Sequence, residues 1–169
     1  MLTIQQGPLP QGALLEKYQQ QGAKTDCYFI DLPNSISHSD YVEAYYTSPF
    51  FKVERVILTF LARRPSTDEQ AKELALGNAT HFAAWHVEGQ TQDQLLLCDF
   101  LGKTRSWLMS VQDEKSNSTR LYFGSAVIPK QVKARGKAKV GIGFQLLGGF
   151  HHLYSIALLK SACRKLIKN

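Results

Sequence analysis

The stretch FAAWHVEGQTQDQLLLCDFLGKTRSWLMSVQDEKSNSTRLYFGSAVIP, residues 82–129, decides the fold of this chain. It contains four runs of aromatic and branched residues separated by polar turns, at 82–88, 94–100, 104–111 and 119–128. Short runs of this kind, joined by turn residues, are typical of consecutive strands in an antiparallel sheet. The stretch therefore predicts an antiparallel β-meander.

The register of the two central strands follows if Gly102 and Lys103 are the central residues of a type II′ turn. Asp99 then faces Ser106 across the strand pair. Because side chains alternate across a strand, Asp99 and Arg105 lie on opposite faces, which argues against an ion pair between them. Both faces of the predicted sheet are rich in apolar residues, so we expect both to be covered.

The sequence before the meander predicts an arm and then one strand. Residues 1–25 are rich in Gln, Gly and Pro, which predicts an N-terminal arm with at most a short helix around 13–20. Residues 27–32 are β-prone and are followed by Pro33, so we assign them as the first strand of a single domain over residues 26–169.

Two or three helices are predicted between that strand and the meander. Ser37 followed by Asp40 is typical of a helix start. Residues 53–61 repeat apolar side chains at helical spacing, although their β-branched content also fits a strand, and we favour the helix. Ser66 and Glu69 form a predicted capping box for a further helix.

The sequence after the meander is basic and then apolar. The cations of the basic part are Lys130, Lys133, Arg135, Lys137 and Lys139. Residues 140–147 are compatible with one more strand. Gly148 and Gly149 are expected to break the chain before an amphipathic helix that runs from about residue 150 to about residue 167.

The charge of the chain is divided unevenly. Residues 1–114 carry nine Lys and Arg against fourteen Asp and Glu, while residues 115–169 carry eleven cations and no acid. Such an asymmetry favours anionic partners. No run is long enough to predict a membrane span, and no secretory signal opens the sequence, so a cytoplasmic location is the default expectation.

No catalytic, metal or nucleotide motif stands out in the sequence. His81 and His86 fall on opposite faces if they share one strand, so we expect no metal site, and no cofactor is predicted. The glycines of residues 141–149 match neither a dinucleotide-binding nor a Walker pattern. The three cysteines are isolated, which fits reduced thiols. The basic residues 130–139 have no interleaved aromatic residue, so no nucleic-acid signature is predicted, and contact with an anionic surface is the alternative to a solvated loop.

Polar and aromatic residues embedded in the predicted sheet are the candidates for a ligand pocket. A few fixed polar groups in an apolar surface can orient a bound molecule. Such residues can equally fill a core or cap a turn. The candidates are Trp85, His86, Asp99, Arg105, Ser106, Trp107 and Tyr122.

One segment of the meander resembles a known group of proteins. Residues 98–108, CDFLGKTRSWL, resemble the C-D-F-x-G-x-T-R-S-W-L stretch of a family of uncharacterised bacterial proteins. The order of predicted elements also resembles the helix-grip superfamily, which includes START lipid-transfer domains and polyketide cyclases. This resemblance implies an α+β, helix-grip-like fold. Its antiparallel sheet of six or seven strands is wrapped around a long C-terminal helix, with two or three helices between the first strand and the meander.

The same resemblance implies a cavity between the sheet and the C-terminal helix that takes a hydrophobic or amphipathic small molecule. A second hypothesis is a cyclase- or hydrolase-type enzyme in which Asp99, His86 or Arg105 handles protons, provided that these groups converge in one cavity. A third is an interaction protein whose basic C-terminal third contacts a membrane, nucleic acid or an acidic partner. The sequence leaves open whether the chain is an enzyme.

Overall fold

The computed structural model describes residues 3–63, 65–128 and 142–168, with side chains for all of them except 57–62 and 142–151. The elements are β1 (Gln5–Gln6), α1 (Glu16–Gln20), β2 (Lys24–Leu32), α2 (His38–Tyr46), α3 (Pro49–Ala62), α4 (Asp68–Ala75), β3 (His81–Phe82), β4 (Trp85–Gln90), β5 (Gln94–Asp99), β6 (Thr104–Asp113), β7 (Ser118–Val127) and α5 (Ile142–Lys168). The strands form one antiparallel sheet in the order β1-β2-β7-β6-β5-β4-β3. A long helix follows the last strand, so the predicted α+β, helix-grip-like architecture is confirmed.

The helices α2 and α3 form at the segments for which the sequence predicts helices. The Ser37 hydroxyl accepts a hydrogen bond from the Asp40 amide at 3.0 Å, which satisfies one of the free N–H groups at the start of α2. Residues 53–61 lie within α3. The helical interpretation of that segment is therefore confirmed.

The cap of α4 lies one residue later than predicted. The Thr67 hydroxyl accepts a hydrogen bond from the Gln70 amide, and the Gln70 side chain accepts one from the Thr67 amide. This is the reciprocal capping box that the sequence assigns to Ser66 and Glu69. The Ser66 hydroxyl instead accepts a hydrogen bond from Arg55 Nε at 3.0 Å.

The first run of the meander forms two strands instead of one. Ala83 has a positive φ of 51°, and the chain turns at this position so that β3 pairs with β4. His81 therefore lies directly opposite His86, with 6.2 Å between the ring centroids. The prediction that these histidines face away from each other is wrong, because it assumes one continuous strand.

The prediction of a strand over residues 140–147 is wrong for residues 142–147, the part of this segment that the structure describes. Ile142 begins α5, and Gly148 and Gly149 lie inside this helix rather than breaking the chain before it. A short, largely apolar run such as this one cannot be assigned to a buried strand or to a helix by periodicity alone. The sheet reaches seven strands through β1 and β3 instead.

The two faces of the sheet are covered by different parts of the chain. On the face that we name the inner face, strand residues pack against α2, α4 and α5 in one cluster that includes Tyr28, Leu97, Leu108, Phe123, Tyr45, Leu74, Leu159 and Cys163. On the opposite, outer face, a second cluster includes Ala13, Leu15, Tyr18, Leu96, Trp107 and Met109. The expectation that both faces are covered is confirmed.

The N-terminal residues form the cover of the outer face. Leu15 is fully buried there, and the Gln94 side chain accepts a hydrogen bond from the Leu14 amide at 2.9 Å and donates one to the Gly12 carbonyl at 3.2 Å. Gly124 gives this cover room, because a Cβ atom at that position would lie only 3.1 Å from Leu15 Cδ2. The cover and the sheet are thus closely fitted.

The register of β5 and β6 differs from the predicted one by two residues. Cys98 faces Arg105, because the turn is lengthened beyond two residues. The Asp99 carboxylate stabilises this longer turn by accepting hydrogen bonds from the Lys103 and Thr104 amides, both at 2.7 Å. A shift of two leaves each side chain on its predicted face. Asp99 and Arg105 therefore point to opposite faces, as expected.

Candidate functional site

A cavity of about 440 Å³ lies on the inner face, between the sheet and helices α2, α3 and α5. Its lining extends from exposed Lys24, opposite Val127 at the ends of β2 and β7, to the fully buried Tyr45 and Tyr46. The cavity therefore opens beside these strand ends and is closed by the helices. Its volume is in the range of sites that hold small molecules.

Aromatic side chains form the deep part of the cavity. Tyr45 and Tyr46 reach it from α2, Phe51 from α3 and Phe123 from β7. The Tyr46 and Phe51 rings meet edge to face with centroids 4.8 Å apart, and the Tyr45 and Phe123 centroids are 5.4 Å apart. Such packed rings form rigid apolar walls that suit an apolar guest.

Two buried hydrogen-bond donors border the same cavity without a hydrogen-bond partner among the described residues. The Tyr46 hydroxyl and the Trp85 indole N–H are buried and form no hydrogen bond within the described parts of the chain. Ser106 lies near the Tyr46 hydroxyl but outside hydrogen-bonding geometry. Buried polar groups in folded proteins are nearly always hydrogen-bonded. An acceptor from outside the described residues would satisfy either group.

A carboxyl–phenol pair forms another part of the wall. The Tyr154 hydroxyl, on α5, donates a hydrogen bond to Glu54 Oε2, on α3. Burial raises the pKa of the Glu54 carboxyl above its usual value, and the hydrogen bond from Tyr154 opposes this shift. Burial also raises the pKa of the Tyr154, Tyr45 and Tyr46 hydroxyls. The cavity therefore favours uncharged groups.

Three of the seven predicted pocket residues lie on the inner face: Trp85, Asp99 and Ser106. Trp85 and Ser106 line the cavity. Asp99 does not, because its carboxylate is bound to amides of the β5–β6 turn. Trp85 and Ser106 can therefore contact a ligand in the cavity, whereas Asp99 stabilises a turn.

The other four predicted residues direct their side chains to the outer face: His86, Arg105, Trp107 and Tyr122. Arg105 Nε donates to Glu88 Oε2 at 2.6 Å and to the Tyr18 hydroxyl at 2.9 Å, so strand alternation leaves only its main chain to border the cavity. The Trp107 indole donates to Gln94 at 2.9 Å. Asp99, His86 and Arg105 consequently do not converge in one cavity.

The cavity residues that the sequence analysis missed come mainly from helices: Tyr45, Tyr46, Phe51, Glu54 and Tyr154. Tyr45 and Tyr46 read as ordinary core positions of an amphipathic helix. Glu54 carries one usable signal, because it is the single acidic residue in the sequence of α3. Which way that helix faces depends on contacts distant in sequence, so the signal does not identify the cavity.

A second, polar cavity of about 760 Å³ lies at the N-terminal end of α2. Here His38 Nδ1 is 3.1 Å from the Ser110 hydroxyl, and burial lowers the pKa of His38 to about 4 despite the opposing charge of Asp93. The imidazole is therefore neutral at pH 7, and its hydrogen bond with Ser110 links α2 to β6.

Several further features bear on the predicted chemistry. Cys27, Cys98 and Cys163 are buried and form no disulfide, and burial raises the pKa of Cys27 and Cys163 to about 12.

Within the described ranges, no three His, Cys, Asp or Glu side chains come together in a way that could hold a metal ion. None of the described helices combines the length and apolar character needed to cross a bilayer. The five predicted surface-contact cations, from Lys130 to Lys139, lie outside the described residues.

No protein-family model matches this sequence, and no curated protein matches it. The crystal structure of CalU16 from Micromonospora echinospora is similar over 98% of this chain and 92% of that chain, at 10% sequence identity and a TM-score of 0.31. A similarity of this size does not define a ligand.

Proposed function

We propose that this protein binds a hydrophobic or amphipathic small molecule in the inner-face cavity. The observation that supports the proposal is the cavity itself, with about 440 Å³ of open space between the sheet and the helices. Protein cores are ordinarily packed with few voids larger than a water molecule. A space of this size, walled by Tyr45, Tyr46, Phe51 and Phe123, fits a bound molecule better than it fits a completed core.

The enzyme hypothesis has less support from the same geometry. It requires Asp99, His86 or Arg105 to act on one bound molecule. Asp99 is bound to turn amides, and the side chains of His86 and Arg105 lie on the other side of the sheet from the cavity. We therefore assign no catalytic role to these residues and propose binding as the function.

Filling the cavity tests the proposal. Ser106 lines it, and the Ser106→Leu substitution would occupy part of the space a ligand needs. We expect the wild-type protein to bind the uncharged fluorescent probe N-phenyl-1-naphthylamine, and the Ser106→Leu protein to bind it at least about tenfold more weakly. The control is Ser35→Leu, at an exposed position outside the cavity. Equal probe binding by Ser106→Leu and Ser35→Leu, or no binding by the wild type, would contradict the proposal.

A further inference from the structure

The inner-face cavity contains two groups that its packing does not explain. The Tyr46 hydroxyl and the Trp85 indole N–H are both buried at the cavity wall, and neither has a partner in the described parts of the chain. Trp107 provides a contrast within the same protein, because its indole N–H donates to Gln94 at 2.9 Å. The buried indole N–H of Trp107 thus has a hydrogen-bond partner in the fold, whereas that of Trp85 has none among the described residues.

The chemistry of the two groups defines what would satisfy them. An indole N–H can only donate a hydrogen bond, and a phenol hydroxyl can donate one as well. A guest that serves both must therefore present an acceptor oxygen or nitrogen.

The charge of that acceptor follows from its surroundings. Burying an ion in an apolar space without a paired countercharge costs far more than burying a neutral acceptor. The acidic Glu54, hydrogen-bonded to Tyr154, borders the cavity between α3 and α5, and a carboxyl group is no counterion for an anion. Among the described lining residues, the cations are Lys24, which is exposed at the edge of the cavity, and Arg105, whose side chain is paired with Glu88 on the outer face. An uncharged acceptor, such as a ketone or ester carbonyl, fits this environment.

We infer that the cavity selects an uncharged, largely apolar molecule whose carbonyl oxygen accepts hydrogen bonds from Tyr46 and Trp85. This inference rests on the proposed function and specifies the class of ligand. The aromatic walls hold the apolar body of the molecule, and the two donors fix its orientation. A donor left without a partner on binding weakens the complex, so a ligand lacking the carbonyl is disfavoured.

A matched pair of probes tests the inference. Benzophenone and diphenylmethane have the same two rings and differ at one position, a carbonyl in the first and a methylene in the second. We expect wild-type protein to bind benzophenone about tenfold more tightly in calorimetric titrations. Tyr46→Phe and Trp85→Phe should each reduce this preference to about threefold or less, with little effect on diphenylmethane. Tyr122→Phe and Trp107→Phe, on the outer face, are the controls and should keep the full preference.

The outcomes separate this inference from the proposed function. Failure of both probes to bind contradicts small-molecule binding in general. Equal binding of the two probes, or a preference that survives in both cavity variants, overturns the carbonyl inference and leaves binding intact. Photo-crosslinking of wild-type protein with benzophenone provides a second measurement that needs no variant. Adducts in α2 or β4 support the inference, and adducts confined to the outer face overturn it.

Discussion

At the scale of single residues, burial acts in opposite directions on two ionisable groups. Burial raises the pKa of the Glu54 carboxyl, because the charged carboxylate loses water, and lowers the pKa of His38 to about 4, because the charged imidazolium does. Folded protein therefore binds more protons than unfolded protein at Glu54 and fewer at His38. The two groups give opposite pH dependences of stability.

For Glu54, the pH dependence can be isolated with one substitution. Because its folded pKa is raised, its contribution to stability is present below the unfolded pKa and is lost as pH rises through the folded pKa. Glu54→Gln cannot ionise and keeps an oxygen that accepts from Tyr154. In urea unfolding between about pH 4 and about pH 8, we expect the free energy of unfolding of Glu54→Gln to rise relative to wild type as pH increases.

The His38 contribution is common to both proteins, so it cancels in this comparison. Glu114→Gln, at an exposed turn position away from the cavity, is the control for the loss of one carboxyl charge. A Glu54→Gln difference that is constant or decreases with pH would mean that the carboxyl is not desolvated at the cavity wall.

At the scale of elements, the β5–β6 turn depends on one carboxylate. Asp99 accepts hydrogen bonds from the Lys103 and Thr104 amides and a longer one from Leu101 at 3.3 Å. We expect Asp99→Ala to lower the free energy of unfolding by about 1–3 kcal/mol, as loss of charge-assisted hydrogen bonds does. Asp99→Asn keeps one carbonyl oxygen, and its effect should be intermediate.

The same variants distinguish a turn residue from a ligand-binding one. Urea titrations measure their stability, and calorimetry with benzophenone measures their binding. A folded Asp99→Ala protein should bind the probe as wild type does, since Asp99 does not line the cavity. Unchanged stability with lost binding would reverse the assignment of Asp99.

The element scale also shows what a sequence can predict. The alternation of side chains along a strand predicts correctly which face each residue of β5 and β6 occupies, because it is a local property of the extended backbone. It misses the register, which depends on how Asp99 lengthens the turn. It also misses the turn at Ala83, because alanine rarely adopts a positive φ.

The candidate site is less predictable than the sheet for a related reason. In α3 the apolar repeat includes Val53 and Val56, yet these two are 60% and 56% exposed, while Phe51 and Arg55 are buried. The helix is oriented by its neighbours, and Arg55 is held through an ion pair with Asp68 on α4. Periodicity alone therefore predicts the helix and not the side that reaches the cavity, where Glu54 lies.

At the scale of the whole molecule, the sheet separates two compartments, and each contains one tryptophan. Trp85 borders the inner-face cavity, and Trp107 is fully buried beneath the N-terminal cover of the outer face. Tyr18 belongs to that cover, where its hydroxyl meets Glu88 and Arg105. A ligand and a loosened cover should consequently act on different tryptophans.

Two single-tryptophan proteins make this separation measurable. Trp107→Phe leaves Trp85 as the reporter of the cavity, and Trp85→Phe leaves Trp107 as the reporter of the cover. Adding diphenylmethane, which places rings in the cavity, should change the emission of Trp85 and leave that of Trp107 constant. The Tyr18→Phe substitution should instead change Trp107 and leave the emission of Trp85 constant. Loss of the hydroxyl removes its hydrogen bond with Arg105 and loosens the cover, so acrylamide should quench Trp107 more strongly. A response of both tryptophans to either change would mean that the two compartments are coupled through the sheet, and the ligand would then have to be sought on both faces.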